Sequence, residues 1–448
     1  MAVTVDRAAP QAAAPKMSVF TLVWVGQVVS LMGTGLTGFG LGVWVYQRTG
    51  SITQYALITV CSRLPGIAIV PIAGALIDRW DRRRAMIYGD AGGGLTVLCL
   101  ALLYFAGHLE VWHICVAMAV SSVLSASQWT AYSAATTMLV PKKHLGRAAG
   151  MVQTGEALGL IVAPALGGVV LVSIGVYGIF LLDFAMKLFA TVTLFLVRIP
   201  TPRKTVEEIK WSLRNEIAYG WRYITSRRGL LALLIFFAVT NFLSGFIFVL
   251  TTPLVLSFST ATVLGTVFSM GGIGMLVGSL GMAAWGGPSR RINGVLGFSV
   301  LSGFSFILAG LWPSAVLVAV AAFLFYFTLP FIGGSTQAIW QTKVSPEVQG
   351  RVFAVRRMIA WSSIPLSYGI SGPLAQYVFE PMLSHGGLLA GSVGRFIGTG
   401  PGRGIAFLFI VMGGLTLLIV ACGYFYPRLR LLESEIPDAI PDPMPNGS

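Results

Sequence analysis

Long runs of apolar residues, separated by short polar segments, repeat along the whole chain. Twelve runs approach or exceed the roughly 20 residues that a helix needs to cross a bilayer. The first covers about residues 18–46 and the last about residues 405–426. Little sequence remains outside these runs. The pattern therefore predicts an all-α membrane protein with twelve transmembrane helices.

Composition and charge support this prediction. Of the 448 residues, 55% are hydrophobic and only 10% are charged, against about 25% charged in a soluble domain. The net charge is +14, and 25 of the 30 Lys and Arg residues lie in the termini, the even-numbered connections or the central segment. Positive charge marks the cytoplasmic side. We therefore expect both termini in the cytoplasm and no nucleic-acid partner.

A polar central segment divides the chain into two halves of six spans each. Within it, four apolar residues recur at helical spacing, which predicts an amphipathic helix at the membrane surface. These residues are Leu213, Ile217, Trp221 and Ile224. The predicted organisation is a cytoplasmic tail (1–17), a first half (18–197), a linker (198–228), a second half (229–426) and a disordered cytoplasmic tail (427–448).

The two halves repeat each other's motifs. Val-Pro-Lys-Lys follows span 4 at Val140 and Ser-Pro-Glu follows span 10 at Ser345, so that their prolines are 205 residues apart. Gly74 and Gly281, after spans 2 and 8, are 207 residues apart. Repeated offsets of this kind indicate an internal duplication.

Two motifs carry a family resemblance. Gly74 begins a G-x-x-x-D-R-x-x-R-R segment after span 2, and Gly159 begins a G-x-x-x-A-P-x-x-G-G segment in span 5. The chain resembles the major facilitator superfamily, in particular the branch with macrolide efflux proteins and the enterobactin exporter. Asp81 replaces the second glycine of the loop motif, and span 4 lacks the arginine of related drug–proton antiporters. The resemblance implies alternating access in a bacterial inner membrane.

The loop after span 2 is the first candidate site. In the family this loop acts as a latch between the two halves, so the resemblance implies a gating role here. The implied latch residues are Gly74, Asp78, Arg79, Arg82 and Arg83. The alternative is a topology signal with helix capping.

Span 5 carries a face of small residues. Gly159, Ala163 and Gly167 are spaced four apart, which permits close packing against another helix. We expect the partner to be span 8, through Gly274 and Gly278. The predicted interface seam consists of Gly159, Ala163, Pro164, Gly167 and Gly168. Ordinary helix packing is an equally good interpretation.

Ionisable residues inside spans are candidates for function, because each is costly at the bilayer centre. Glu156, Asp90 and Asp183 are the proton-coupling candidates. Asp183 precedes Lys187 by four residues, so that the two can pair structurally. Asp90 is alternatively an interfacial partner of the loop arginines. Arg63 is a substrate candidate, and it forms a charge pair with Glu156 if the two face each other.

Spans 1, 4, 7 and 10 surround the central cavity in the family. On that resemblance, a substrate cavity is lined by Gln27, Ser30, Gln128, Trp129, Tyr132, Asn241, Phe242 and Tyr326. Arg63 in span 2 is added to these cavity candidates as an ionisable residue inside a span. Aromatic side chains with few polar groups suit a bulky amphipathic ligand. Lipid-facing or interhelical positions are the alternative for each aromatic residue.

Enzymatic chemistry has no candidate residues. The four cysteines lie in apolar spans, and the four histidines are scattered, so we predict no metal, no cofactor and no catalytic site. We also expect a monomer that contacts only membrane lipids, protons and its substrate.

The resemblance, together with its antiporter-like segment in span 5, implies a secondary exporter of an amphipathic small molecule, drug-like or macrolide-like, by proton antiport. Export of a siderophore and flipping of a lipid are alternatives on the same fold. A membrane sensor or scaffold without transport is the alternative from another class, since the charged linker could dock a cytoplasmic protein.

Overall fold

A computed structural model describes residues 17–77, 81–141, 144–197, 199, 213–345 and 348–438. Its helices are α1 (Met17–Thr49), α2 (Ile52–Ile77), α3 (Arg82–Phe105), α4 (Val111–Leu139), α5 (Leu145–Ser173), α6 (Val176–Leu196), α7 (Leu213–Thr225), α8 (Arg228–Leu256), α9 (Ala261–Trp285), α10 (Arg291–Leu311), α11 (Ala315–Lys343), α12 (Gln349–Leu374), α13 (Glu380–Leu383), α14 (Gly394–Ile397), α15 (Arg403–Phe425), α16 (Pro427–Arg430) and α17 (Leu432–Glu435). One π-helical turn, Ala375–Phe379, joins α12 to α13.

The membrane-spanning helices agree with the hydropathy pattern. In the described parts of the chain, eleven helices are long and apolar enough to cross a membrane. A twelfth long helix, α12, has 26 residues and is less apolar, because Arg351, Arg356 and Arg357 lie in its first three turns. The predicted all-α membrane class is therefore confirmed, with spans 1–6 as α1–α6, spans 7–11 as α8–α12 and span 12 as α15.

The helices fall into two compact units. The first comprises the described residues of 1–34, 64–159 and 180–207. Its apolar core gathers buried side chains of α1, α3, α4 and α6, with Phe20, Met86 and Leu194 fully buried. This unit holds the starting halves of α1 and α5 and the later half of α2, together with α3, α4 and most of α6.

The second unit comprises the described residues of 35–63, 160–179 and 208–448. Its larger core is built from α8 to α12 and α15, and the end of α1 and the start of α2 also contribute buried residues, among them Val43 and Ala56. Contacts that the later residues of α1 and α5 and the first residues of α2 make with the helices of the second half therefore lie inside this one unit.

Residues at helix termini explain several boundaries. Asp81 precedes α3 and accepts hydrogen bonds from the backbone N–H groups of Arg83 and Arg84. A carboxylate at this position caps the helix, because it accepts hydrogen bonds from the free N–H groups of the first turn. Its negative charge is also stabilised by the positive end of the helix dipole. The side-chain oxygens of Thr260 and Ser314 each accept a hydrogen bond from one backbone N–H group at the starts of α9 and α11.

The linker contains the predicted helix as α7. It packs against α8 and α12, with Ile224 fully buried, while Ile217 and Trp221 remain exposed. The apolar residues of α7 are thus divided between protein contact and an exposed face.

The prediction of disorder from residue 427 is wrong for residues 427–438. The chain continues through α16 and α17, and Leu432 is fully buried. Lys343 pairs with Asp438 at 2.7 Å, and the backbone N–H of Ile292 donates to Glu433. These anchors from α10 and α11 offset the polar, proline-rich character of the segment. Residues 439–448 lie outside the described part.

Candidate functional site

Asp90 on α3 is the centre of a buried polar cluster in the first unit. Its side chain is 0% exposed. Ser30 on α1 donates a hydrogen bond to one carboxylate oxygen at 2.5 Å, and Gln27 donates to the other at 3.0 Å. Among the described residues, Asp90 contacts no loop arginine, so the alternative in which it pairs with Arg82, Arg83 or Arg84 is wrong, whereas Arg79 lies outside the described residues.

A third helix joins this cluster through an amide. The Gln128 side chain on α4 donates to the Gln27 side-chain oxygen at 2.8 Å. Gly89 allows α3 and α4 to approach, because a Cβ there would lie 2.7 Å from the Gln128 Cβ. The hydrogen bonds therefore run from Gln128 to Gln27 to Asp90, and each donor is neutral.

Among the described residues, Lys187 on α6 is the positive charge that acts on Asp90. It interacts electrostatically with Asp90, donates to the Thr34 hydroxyl at 2.7 Å, and lies 3.7 Å from a carboxylate oxygen of Asp183. Lys187 is 6% exposed and Asp183 is 0% exposed. The predicted pairing of Asp183 with Lys187 is confirmed. Gly93 on α3 leaves the space for the lysine, since a Cβ there would lie 3.3 Å from the ammonium nitrogen.

Glu156 on α5 lies apart from this cluster. It is half-buried and close enough to Tyr132 for an electrostatic interaction. Among the described residues, Glu156 has no ion-pair or hydrogen-bond partner, and the buried Tyr132 hydroxyl has no hydrogen-bond partner. Trp129 stands beside Tyr132 with ring centroids 5.9 Å apart, and it is 44% exposed.

Arg63 on α2 belongs to the second unit. Its side chain is exposed, and it interacts electrostatically with Tyr326 on α11 and Tyr368 on α12. The pairing of Arg63 with Glu156 stays a prediction, because the two residues belong to different units.

The other predicted cavity residues of the second unit lie on α8. The Asn241 side-chain amide donates to the Ala360 carbonyl at 3.0 Å. Phe242 packs edge-on against Phe246, with ring centroids 5.3 Å apart, at the border of the core. Neither contact tests the predicted role in substrate binding.

The small residues of α5 face two different helices. A Cβ at Gly159 would meet Leu31, and Gly167 lies against Phe39, both on α1. Ala163 also faces α1, where it leaves room only for a glycine at position 35. The spaced face of span 5 therefore packs on α1.

The adjacent face of α5 contacts α9. A Cβ at Gly168 would lie 3.0 Å from the backbone of Ala261, and one at Gly265 would lie 2.5 Å from the Pro164 carbonyl oxygen. The expectation that Gly274 and Gly278 form this contact is wrong, since they lie against the backbone of α11. A small-x-x-x-small pattern permits a close helix contact but does not specify the neighbour.

A set of hydrogen bonds lies at the ends of α1, α2, α8 and α12 that face away from the predicted cytoplasmic loops. The Ser51 hydroxyl and the Thr53 backbone N–H both donate to the Gln376 side-chain oxygen, each at 2.9 Å. The Tyr55 hydroxyl donates to the Thr252 hydroxyl at 2.9 Å. Together with the contact between α5 and α9, we call these the outer contacts.

Glu380 organises the loop between the last two spans. Gln349 is the first residue of α12, and a helix that continues from it to Glu380 is roughly 46 Å long. Because the hydrocarbon core of a bilayer is only ~30 Å thick, Glu380 lies beyond that core. Its carboxylate accepts hydrogen bonds from the backbone N–H groups of Gly402 and Ile405, at 3.1 and 3.0 Å. Burial raises the pKa of Glu380 above its ordinary value, although these amide donors and Arg403 oppose the shift.

The predicted latch is described only in part. Asp78 and Arg79 lie outside the described residues, and Gly74 is placed within α2. Arg83 donates to the carbonyls of Leu194 and Phe195 at 2.8 and 2.9 Å, which caps the end of α6. Arg82 contacts the sulfur of Met138. The gating role of this loop stays a prediction.

Across the ranges that the structure describes, no group of three or more His, Cys, Asp or Glu residues could hold a metal ion.

Two contributors to the buried cluster were not predicted from the sequence. These are Thr34 and Gly93, although Thr34 follows Gln27 at a helical spacing of seven. That spacing, in a span facing other spans, was the available signal. Asp81 was seen only as a departure from the family motif, whereas it caps α3.

Comparisons with known proteins agree with this architecture. The sequence profile described as Major Facilitator Superfamily matches residues 23–368. Macrolide efflux protein A of Streptococcus pyogenes is 26% identical over 379 residues, covering 84% of this chain and 93% of its own length. The multidrug efflux pump Tap of Mycobacterium tuberculosis is 26% identical over 368 residues, covering 79% and 86%.

Solved structures share the fold at low sequence identity. A bacterial homologue of the human lysosomal transporter Spinster, in an inward-facing and unoccupied conformation, aligns with a TM-score of 0.69 and 14% identity, covering 94% of this chain and 98% of its own. The nucleoside transporter NupG aligns with a TM-score of 0.67 and 12% identity, covering 93% and 100%. Because the family profile covers most of the sequence, the chain belongs to the major facilitator superfamily and is a multi-pass membrane transporter, not an enzyme.

Proposed function

We propose that this transporter exports an amphipathic small molecule in exchange for protons, and that Asp90 is the residue that binds the coupling proton. The observation that carries the proposal is a fully buried carboxyl group that, among the described residues, accepts hydrogen bonds from the neutral side chains of Ser30 and Gln27 on α1. Export is inferred from relatives named as macrolide and multidrug efflux proteins. We place the protein in a bacterial cytoplasmic membrane as a monomer.

The hydrogen bonds explain how protonation would alter the first unit. An ionised carboxylate only accepts hydrogen bonds, and Ser30 and Gln27 both donate to it. A protonated carboxyl has to donate one hydrogen bond, so one of these contacts is lost or reversed. Gln27 also accepts a hydrogen bond from the side-chain amide of Gln128. A change in the hydrogen bonds of Asp90 therefore extends across α1, α3 and α4. Proton binding is thereby linked to the packing of three helices.

Lys187 influences the equilibrium between the ionised and the protonated form of Asp90. Its charge favours the ionised form of Asp90, and Asp183 holds the lysine in place by sharing that charge. Glu156, half-buried beside Tyr132, is the second proton acceptor that we consider.

The experiment uses inside-out vesicles with an imposed pH gradient and a quenched pH dye. A macrolide, a cationic dye and a catecholate siderophore are added in turn to vesicles with wild-type protein, Asp90→Asn or Glu156→Gln. We expect at least one compound to dissipate the gradient with wild type and Glu156→Gln, but not with Asp90→Asn. If the compounds no longer dissipated the pH gradient in Glu156→Gln but still did so in Asp90→Asn, the assignment of Asp90 as the coupling residue would be contradicted.

A further inference from the structure

A cavity of about 210 Å³ lies within the second half of the chain, among α8, α10, α11 and α15. All of its lining residues belong to the second unit. Helix α10 packs along both α11 and α15, whereas the direct contact between α8 and α11 is slight. The polar lining residues are Thr240, Asn241, Ser244, Ser299, Ser302 and Thr416.

The lining has many polar groups and no charge. Six of the lining side chains carry a hydroxyl or an amide, and none of the lining residues is ionisable. A charged ligand would lose its hydration here without gaining a counter-ion, which is costly. The lining therefore favours an uncharged occupant with hydrogen-bonding groups.

Half of these polar side chains are used within the protein. The hydroxyls of Thr240, Ser299 and Thr416 donate to backbone carbonyls of their own helices, at 2.9, 2.7 and 2.8 Å respectively. Such bonds satisfy a hydroxyl donor inside an apolar helix bundle and leave little drive to bind a ligand.

The other half retains unused capacity. Among the described residues, the hydroxyls of Ser244 and Ser302 have no hydrogen-bond partner, although Ser302 is only 5% exposed. Asn241 donates one N–H to Ala360, and its side-chain oxygen accepts nothing in the described part of the chain. Buried polar groups are normally hydrogen-bonded. Three groups that line one cavity are therefore available to an occupant.

The size of the cavity limits the occupant. A volume of 210 Å³ equals that of roughly seven liquid water molecules. Pockets that enclose a whole drug-sized ligand measure about 300–1,000 Å³. The cavity thus suits one group of a larger molecule.

We propose that this cavity binds an uncharged, hydroxyl-bearing group of sugar size on the transported molecule, through Asn241, Ser244 and Ser302. The inference rests on the proposed export of an amphipathic molecule, since the apolar remainder of such a molecule would lie outside the cavity. Phe237 and Phe325 on the cavity wall supply the apolar surface on which the ring faces of such a group pack.

The test measures equilibrium binding to the full-length protein in lipid nanodiscs, without a proton gradient. The probe is 4-methylumbelliferyl β-D-glucoside, and the comparison compound is its uncharged sugar-free analogue, 7-methoxy-4-methylcoumarin. The double variant Ser244→Ala/Ser302→Ala removes two hydroxyls with little change in volume. Ser371→Ala is the matched control, because that buried serine on α12 bonds to the Tyr368 carbonyl and does not line the cavity.

We expect wild type and Ser371→Ala to bind the glucoside more tightly than the analogue. In the double variant, we expect glucoside binding to weaken about three- to tenfold per hydroxyl removed, with binding of the analogue unchanged. The proposal would be overturned if the double variant preferred the glucoside over the analogue as strongly as wild type does, or if wild type showed no such preference. Either result would indicate that water occupies the cavity. The assay imposes no proton gradient, so its outcome does not depend on whether Asp90 binds the coupling proton, and the two proposals can fail separately.

Discussion

The contact between α5 and α9 offers a substitution whose geometry can be worked out. In Gly265→Ala, the new Cβ would lie 2.5 Å from the carbonyl oxygen of Pro164, and real Cβ contacts essentially never fall below 3.0 Å. The obstructing atom belongs to the backbone and cannot rotate away. The two helices therefore have to separate locally by at least 0.5 Å.

The expected cost follows from this overpacking. Adding a methyl group to a well-packed site that cannot relax costs about 1–3 kcal/mol. If the strain is relieved when the outer contacts open, the equilibrium shifts toward the open form by roughly 5- to 150-fold, at ~1.4 kcal/mol per factor of ten. A transporter that alternates its access populates such an open form.

Ser269 provides a reporter at the same contact. Its hydroxyl donates to the Ile161 carbonyl on α5 at 2.7 Å, so closure of the outer contacts shields it. The assay introduces Ser269→Cys after replacing the four native cysteines by alanine. A membrane-impermeant maleimide is then applied from outside to right-side-out vesicles, and the labelling rate is measured.

We expect Gly265→Ala to raise that labelling rate at least about fivefold, the lower limit set by the overpacking cost. Gly414→Ala on α15 is the matched control, because a Cβ there would meet no atom within 4 Å. Equal labelling rates in Gly265→Ala and Gly414→Ala would refute the reasoning, since the carbonyl of Pro164 would then not oppose the added methyl group.

Two further predictions concern capping and pH. Arg83→Ala removes the charged donors from the carbonyls of Leu194 and Phe195 and should lower unfolding stability by about 1–3 kcal/mol; Arg84→Ala, whose side chain is 75% exposed, should change it little in the same thermal melt. Equal effects of the two would contradict the capping assignment. Burial raises the pKa of Glu380, so the folded state holds this proton more tightly than the unfolded chain does. The protonated Glu380 carboxyl therefore contributes its full stabilisation below its ordinary pKa. That contribution is lost as the pH rises through the raised pKa of the folded state. The melting temperature of wild type should show this fall with rising pH and Glu380→Gln should not; parallel pH profiles would exclude Glu380 as the cause.

The features predicted correctly from the sequence are those that depend on local spacing. Hydropathy identified the spans, because a bilayer imposes a minimum apolar length on every helix. The pairing of Asp183 with Lys187 was predictable, because residues four apart on a helix are neighbours whatever the tertiary fold.

Contacts between helices were not predictable in the same way. The partners of Asp90 come from α1, which is about 60 residues earlier in the chain, and depend on how each helix is rotated. The glycines of α9 show the same limit: Gly274 faces α11, whereas Gly265 faces α5. The two positions cannot be distinguished in the sequence. A small residue permits close approach of a neighbouring helix but does not specify which helix that is.

The anchored segment after residue 427 was missed for a related reason. Its prolines and acidic residues are typical of disorder, but Glu433 and Asp438 meet donors on α10 and α11. Those donors are more than 90 residues earlier in the chain, so composition alone could not indicate them.

The most direct test of the account compares two modes of transport by Asp90→Asn in proteoliposomes. Counterflow exchanges labelled for unlabelled substrate and needs no net proton movement, whereas gradient-driven export requires the coupling proton to bind and leave. With a compound that wild type transports, we predict that Asp90→Asn keeps counterflow and loses its response to an imposed pH gradient. Gradient-driven export at the wild-type rate in Asp90→Asn would contradict the assignment of Asp90 as the proton-coupling residue.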